Sequence, residues 1–146
     1  MIYLLDTNAC IRYLNGRGIA LLERMQHTAA SEIAVCSVVR LELFYGALRS
    51  QNPARTLAKQ TKFLDRFVSL PLDDSAAHRG AEIRAALARI GQPIGAYDVL
   101  IAAIALANNL TLITHNVAEF GRIAGLRYED WEAGDAPVPS PSPTIT

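Results

Sequence analysis

Residues 95–114 read GAYDVLIAAIALANNLTLIT, and this stretch decides the fold class. Gly95 opens a run in which Val99 to Ala107 is apolar all round, which predicts a helix buried on most sides. Asn108 and Asn109 end it. Leu110 to Thr114 follows as a strand of apolar and β-branched residues. Helix giving way directly to strand is the unit from which an α/β domain is built.

The same alternation extends outward in both directions. Ile2 to Leu5 reads as a buried strand ending at Asp6-Thr7-Asn8, whose side-chain oxygens suit the cap of a helix to about Leu14. Asn15-Gly16-Arg17-Gly18 breaks that helix, and a second covers roughly Ile19 to His27. Glu32 to Cys36 predicts a strand, with Ser37 capping a helix from Val38 to about Ser50. Pro53 stands near the start of the next helix, which is expected to reach about Val68. Ser69 to Leu72 reads as a short edge strand, because Pro71 has no N–H to donate. Asp73-Asp74-Ser75 then caps a helix to about Ile90, stopped by Gly91. Beyond Thr114 a turn is expected, then a strand around Leu126 to Tyr128. The prediction is an α/β sandwich with a mainly parallel sheet over residues 1–132. Residues 133–146 hold Pro137, Pro139, Pro141 and Pro143 among Ser and Thr, and read as an extended, disordered tail.

The chain has 146 residues, one domain's worth, of which 51% are hydrophobic, so a full core is within reach. No apolar run attains the roughly 18–20 residues that span a bilayer. The first residues lack a basic segment and a small-residue cleavage site, so a cytoplasmic protein without membrane attachment is expected. Cys10 and Cys36 sit in apolar settings and read as packed thiols of a reducing compartment. Fourteen basic residues balance fourteen acidic ones. A zero net charge does not announce a nucleic-acid binder, yet segregated charge remains compatible with one.

Four acids stand in surroundings that do not suit solvent-facing charge. Asp6 ends an apolar strand at its C-terminal edge, where open parallel sheets bind ligands; it would also serve as a plain helix cap. Glu42 lies among Val38, Val39, Tyr45 and Gly46 with no basic residue three or four positions away. Either its charge is compensated from elsewhere or its long stem reaches water. Asp98 sits in the first turn of the buried helix. The helix dipole tolerates an acid there, but only by about 0.3–1 kcal/mol, and does not call for one. Glu119 follows the strand ending at Thr114 by a short turn, a placement common in loops. Together the four can converge on one edge of the sheet. Carboxylates so gathered need a counter-charge, which a hard divalent cation supplies through oxygen ligands. His27, His78 and His115 are isolated in the sequence and offer no zinc spacing.

These segments resemble the PIN domain, and more narrowly the VapC toxins of bacterial type II toxin–antitoxin systems. The resemblance rests on Leu4-Leu5-Asp6-Thr7-Asn8, on Arg40-Leu41-Glu42-Leu43 within Val38–Gly46, on Ile94 to Ala103, and on Thr111 to Asn116 with Glu119-Phe120. The motifs keep the family's order over residues 1 to about 131. The resemblance implies a three-layer α/β/α sandwich and a magnesium-dependent endoribonuclease, with manganese able to substitute. It implies Asp6, Glu42 and Asp98 as acidic-site residues, Asp6 and Asp98 as the metal ligands, and Thr7, Asn8 and Thr114 as supporting groups. Many members carry Asp where this chain has Asn116, which leaves Asn116 as support and Glu119 as the fourth acid. Family members cleave structured RNAs, tRNA among them, are inhibited by a VapB-like antitoxin, and commonly form homodimers or toxin–antitoxin hetero-oligomers.

Two other readings compete. An aspartyl-nucleophile phosphatase would also place Asp6 after a first strand, but would want an acid at Asn8 and a later lysine, and only Lys59 and Lys62 are present. A non-catalytic RNA-binding or regulatory module could keep the acidic pocket without turnover. For RNA grip, Arg40, Arg49, Arg55, Lys59, Lys62 and Arg66 lie on two successive helices and could hold phosphates, or simply face solvent.

Overall fold

A computed structural model of the protein describes residues 1–133. Its centre is β1 (Tyr3–Leu5), where Leu4 and Leu5 are fully buried. β1 lies between β2 (Ile33–Cys36) and β4 (Thr111–Ile113), with Leu4 opposite both Ala34 and Leu112. β3 (Val68–Leu70) and β5 (Tyr128–Glu129) form the edges, giving the order β3-β2-β1-β4-β5 with every pair parallel. All four residues of β2 and all three of β4 are buried, as expected of strands covered on both faces.

The helices are α1 (Thr7–Leu14), α2 (Ile19–Gln26), α3 (Ser37–Leu48), α4 (Pro53–Leu64), α5 (Asp74–Arg89), α6 (Ala96–Ala107) and α7 (Val117–Phe120). From β1 to β3 the chain winds outward in one direction; it then returns past β1 and continues through β4 to β5. Right-handed crossovers place the helices of these two halves on opposite faces, so the layers are α/β/α. The order reverses between β1 and β4. Their C-terminal ends therefore flank the crevice in which doubly wound folds take ligands.

The expected α6 forms as read, with Val99 and Ile101 to Ala105 buried and Gly95 at its N-cap. The C-cap glycine after α5 is also present, Gly91 taking a left-handed φ of 67°. Several boundaries move. α4 stops at Leu64 rather than Val68, because Val68 is drawn into the sheet opposite Ala34. Ser37 does not cap α3; Cys36 holds that position, and the Ser37 hydroxyl donates to the Leu70 carbonyl at 3.4 Å. The turn after Thr114 contains α7, anchored by buried Phe120. The last strand begins at Tyr128 rather than Leu126, whose side chain is buried in the core.

Trp131 closes the domain. It is buried edge-on against Tyr3 (centroids 4.9 Å apart), lies under the Arg24 guanidinium at 4.6 Å, and donates from Nε1 to Glu129 at 2.9 Å. Cys10 and Cys36 are buried free thiols, in line with the packed reading. Among the described residues no helix is long and apolar enough to cross a membrane. The expected tail lies outside the described residues except for Ala133.

Candidate active site

A single residue, Asp6, joins the end of β1 to the start of α1. Asp6 still donates its backbone N–H to the Ile113 carbonyl at 3.1 Å, while its Oδ1 accepts from the Ala9 N–H at 2.8 Å as the N-cap of α1. The plain cap reading is thus correct, but it does not account for the setting. Asp6 is 3% exposed, and its carboxyl is pushed from 3.8 up to about 7. Burial is the largest cause, reinforced by the negative charges of Asp98 and Glu132 and opposed by hydrogen bonds from Thr114 and Ala9.

Asp98 enters from the opposite layer, in the first turn of α6 and half-buried. Burial raises its carboxyl above the ordinary aspartate range, and Glu42 and Glu119 push it further in that order. The four acids named from sequence therefore share one electrostatic neighbourhood: Asp98 raises Asp6 and is itself raised by Glu42 and Glu119. Glu42 projects from the second turn of α3 and is fixed by the Thr7 hydroxyl, which donates to its Oε1 at 2.5 Å. Glu119 is half-buried on α7.

The supporting residues divide. Thr7 ties α1 to Glu42, and Thr114, 1% exposed at the end of β4, ties the sheet edge to Asp6. Asn116 donates its backbone N–H to the Thr114 hydroxyl at 2.9 Å and shapes the turn. Asn8 stands exposed on the first turn of α1. Of the basic residues on α3, α4 and the loop after it, several hold the fold together. Arg40 reaches Ser69 and Asp65, Lys59 donates to the Leu14 carbonyl at 2.8 Å, and Arg66 donates to the Tyr13 hydroxyl at 3.2 Å. Lys59 is thus committed to a structural bond, which weakens the phosphatase reading.

A second group was not nominated from sequence. His115, Asp130 and Glu132 bring their donor atoms within 4.8 Å of one another. Glu132, 8% exposed, pairs with Arg12 at 2.7 Å and is one of the charges that raise Asp6. Arg12 already supplies its counter-charge, so this group has less call for a metal than the four-acid site. The available signal was faint: acids on either side of Trp131, a residue that seeks burial.

The chemistry of the four-acid site follows from its donors. It offers carboxylate oxygens, with a buried acid that water does not compensate, and this fits a hard divalent cation. The sequence profile described as "PIN domain" matches residues 3–126. The chain is 40% identical over 129 residues to the "tRNA(fMet)-specific endonuclease VapC" of Shigella flexneri, covering 88% of this chain and 97% of that protein. Its fold matches a chain in the crystal structure of DNA-bound VapBC from Salmonella typhimurium with a TM-score of 0.85 at 39% identity, over 90% of this chain and 98% of that one. A chain of VapBC2 from Rickettsia felis, bound to a promoter DNA fragment, matches with a TM-score of 0.83 at 34% identity, over 90% and 99% of the two chains.

Proposed function

The chain belongs to the PIN-domain family, and we propose that it is a divalent-metal-dependent endoribonuclease, the toxin of a toxin–antitoxin pair. One observation carries the reading: Asp6 is buried and raised to about 7, in part by the charge of Asp98, whose own carboxyl is raised in part by Glu42 and Glu119. The relatives' names support RNA cleavage, and that of the Shigella protein supports tRNA as the substrate class. The VapBC assemblies support a VapB-like antitoxin as partner in a hetero-oligomer; a homodimer of this chain rests on the family resemblance alone. Its place of action is the cytoplasm, where tRNA is found.

Asp6 and Asp98 would hold Mg²⁺, or Mn²⁺ through the same oxygens. When bound, the ion supplies charge against the phosphoryl oxygens and lowers the pKa of a coordinated water. The protein's own groups do the rest. The Ala9 N–H and the Thr114 hydroxyl fix the Asp6 carboxylate, and the Thr7 hydroxyl fixes Glu42. Glu42 and Glu119 flank Asp98 as proton acceptors for the attacking water. In-line attack leaves a 5′-phosphate and a 3′-hydroxyl.

The deciding experiment incubates purified protein with tRNA and Mg²⁺ or Mn²⁺, with EDTA and the Asp98→Asn variant as controls. Asp98→Asn keeps shape and removes charge, so cleavage should vanish while the thermal transition persists. Wild-type cleavage by Asp98→Asn, or products ending in a 2′,3′-cyclic phosphate, would overturn the assignment.

A further inference from the structure

His115 lies between two residues that frame the acidic crevice. Thr114 before it bonds Asp6, and the N–H of Asn116 after it bonds the Thr114 hydroxyl. Its Nδ1 is 2.9 Å from Asp130 Oδ2, and the other Asp130 oxygen accepts the Glu132 backbone N–H at 2.9 Å. Asp130 is therefore fixed by both oxygens, its side chain 19% exposed. An ionised carboxylate only accepts, so the shared proton sits on Nδ1. That orients the ring, whose side chain is 65% exposed, with Nε2 as the nitrogen available to a substrate. Glu132 offers an oxygen within 4.8 Å of the ligand atoms of both His115 and Asp130, and its charge also raises Asp6, so the imidazole and the buried acid share one charged neighbour. Arg12 balances Glu132 at 2.7 Å.

We infer that His115, doubly protonated with its Nδ1–H held by Asp130, gives the proton on Nε2 to the leaving 3′ oxygen of the RNA, with Asp130 as its positioning residue; this rests on the ribonuclease reading above. The four acids, ionised to hold a cation, only accept protons, so the crevice needs a donor for the departing alkoxide. In the step, a water oxygen bonds to phosphorus and the P–O3′ bond breaks with its electron pair on O3′. O3′ takes the Nε2 proton, and the water's proton passes to a carboxylate. Solvent then reprotonates the imidazole.

The test compares two RNA oligonucleotides of one sequence, differing only by a bridging 3′-sulfur at the wild-type scissile bond. A thiolate leaves without being protonated. His115→Gln should slow the oxygen substrate by about 10²–10⁴-fold, the usual range for general acid catalysis, and leave the sulfur substrate near the wild-type rate. Asp130→Asn should show a smaller loss with the same preference for sulfur. Equal losses on both substrates would mean that His115 merely latches the Asp130 turn, and no loss on either would mean that it plays no part; both overturn the inference alone. An inactive wild type would overturn the ribonuclease reading and this inference with it.

Discussion

Replacing Asp6 with Asn should make the metal-free protein more stable, and only above a definite pH. The Asp6 carboxyl titrates near 7 in the folded chain against 3.8 for an ordinary aspartate. Well below pH 3.8 the acid is neutral in both folded and unfolded states and costs nothing. Between there and 7 the unfolded chain gives up its proton while the folded chain keeps it, so stability falls as pH rises. Above 7 the full penalty stands. Three pKa units at about 1.36 kcal/mol each make it roughly 4 kcal/mol. Asparagine retains an acceptor for the Ala9 N–H and carries no charge to bury. At roughly 3 °C per kcal/mol for a domain of this size, Asp6→Asn should melt about 10 °C above wild type at pH 8 in EDTA. At pH 3 the two should nearly coincide. Mn²⁺ added at pH 8 should raise the wild-type transition, by about 2.7 kcal/mol at a hundredfold excess over its Kd, and leave the variant unmoved. A variant less stable than wild type at pH 8, or a gap that ignores pH, would refute the reasoning.

Other consequences follow from the contacts around the site. Thr7→Val removes the 2.5 Å bond to Glu42 while keeping the branched shape. Cleavage should fall by roughly 10–100-fold, as is usual when a supporting partner is lost, with an unchanged circular dichroism spectrum. Trp131→Ala empties the space between Tyr3 and Arg24 and should cost about 3–5 kcal/mol in urea unfolding. Arg12→Met leaves buried Glu132 without its 2.7 Å partner; the loss in stability should exceed that from the double change with Glu132→Gln, read from a double-mutant cycle.

The elements that were legible in sequence are those whose residues face one environment. Residues 99–107 are apolar all round and the helix is buried; Leu110 to Thr114 is β-branched and apolar, and the strand lies inside the sheet. The misplaced boundaries are where a distant partner decided. Val68 continues a helical pattern, but Ala34 beside it on the neighbouring strand offers ladder bonds that a helix end cannot match. α7 is four residues long, too short for periodicity to register; buried Phe120 holds it in place through tertiary packing.

The candidate site divides along the same line. Glu42 and Asp98 were conspicuous because their sequence neighbours do not explain a charge, whereas Asp6, readable as a plain cap, and Glu119, in a placement common in loops, gained weight only beside them. Glu132 was barely conspicuous, since only the adjacent Trp131 hints at burial, and Arg12 reaches it only after β5 returns the chain beside α1. His115 was dismissed as isolated because its partner Asp130 lies beyond a strand of two residues. A search by spacing finds groups on one element. The crevice between β1 and β4 gathers groups from β1, α3, α6, α7 and the turn after β5, so its chemistry depends on the strand order reversing there. Moving the reversal would leave every local motif intact and scatter the acids over separate edges. The proposed activity therefore rests on the topology as much as on the four carboxylates.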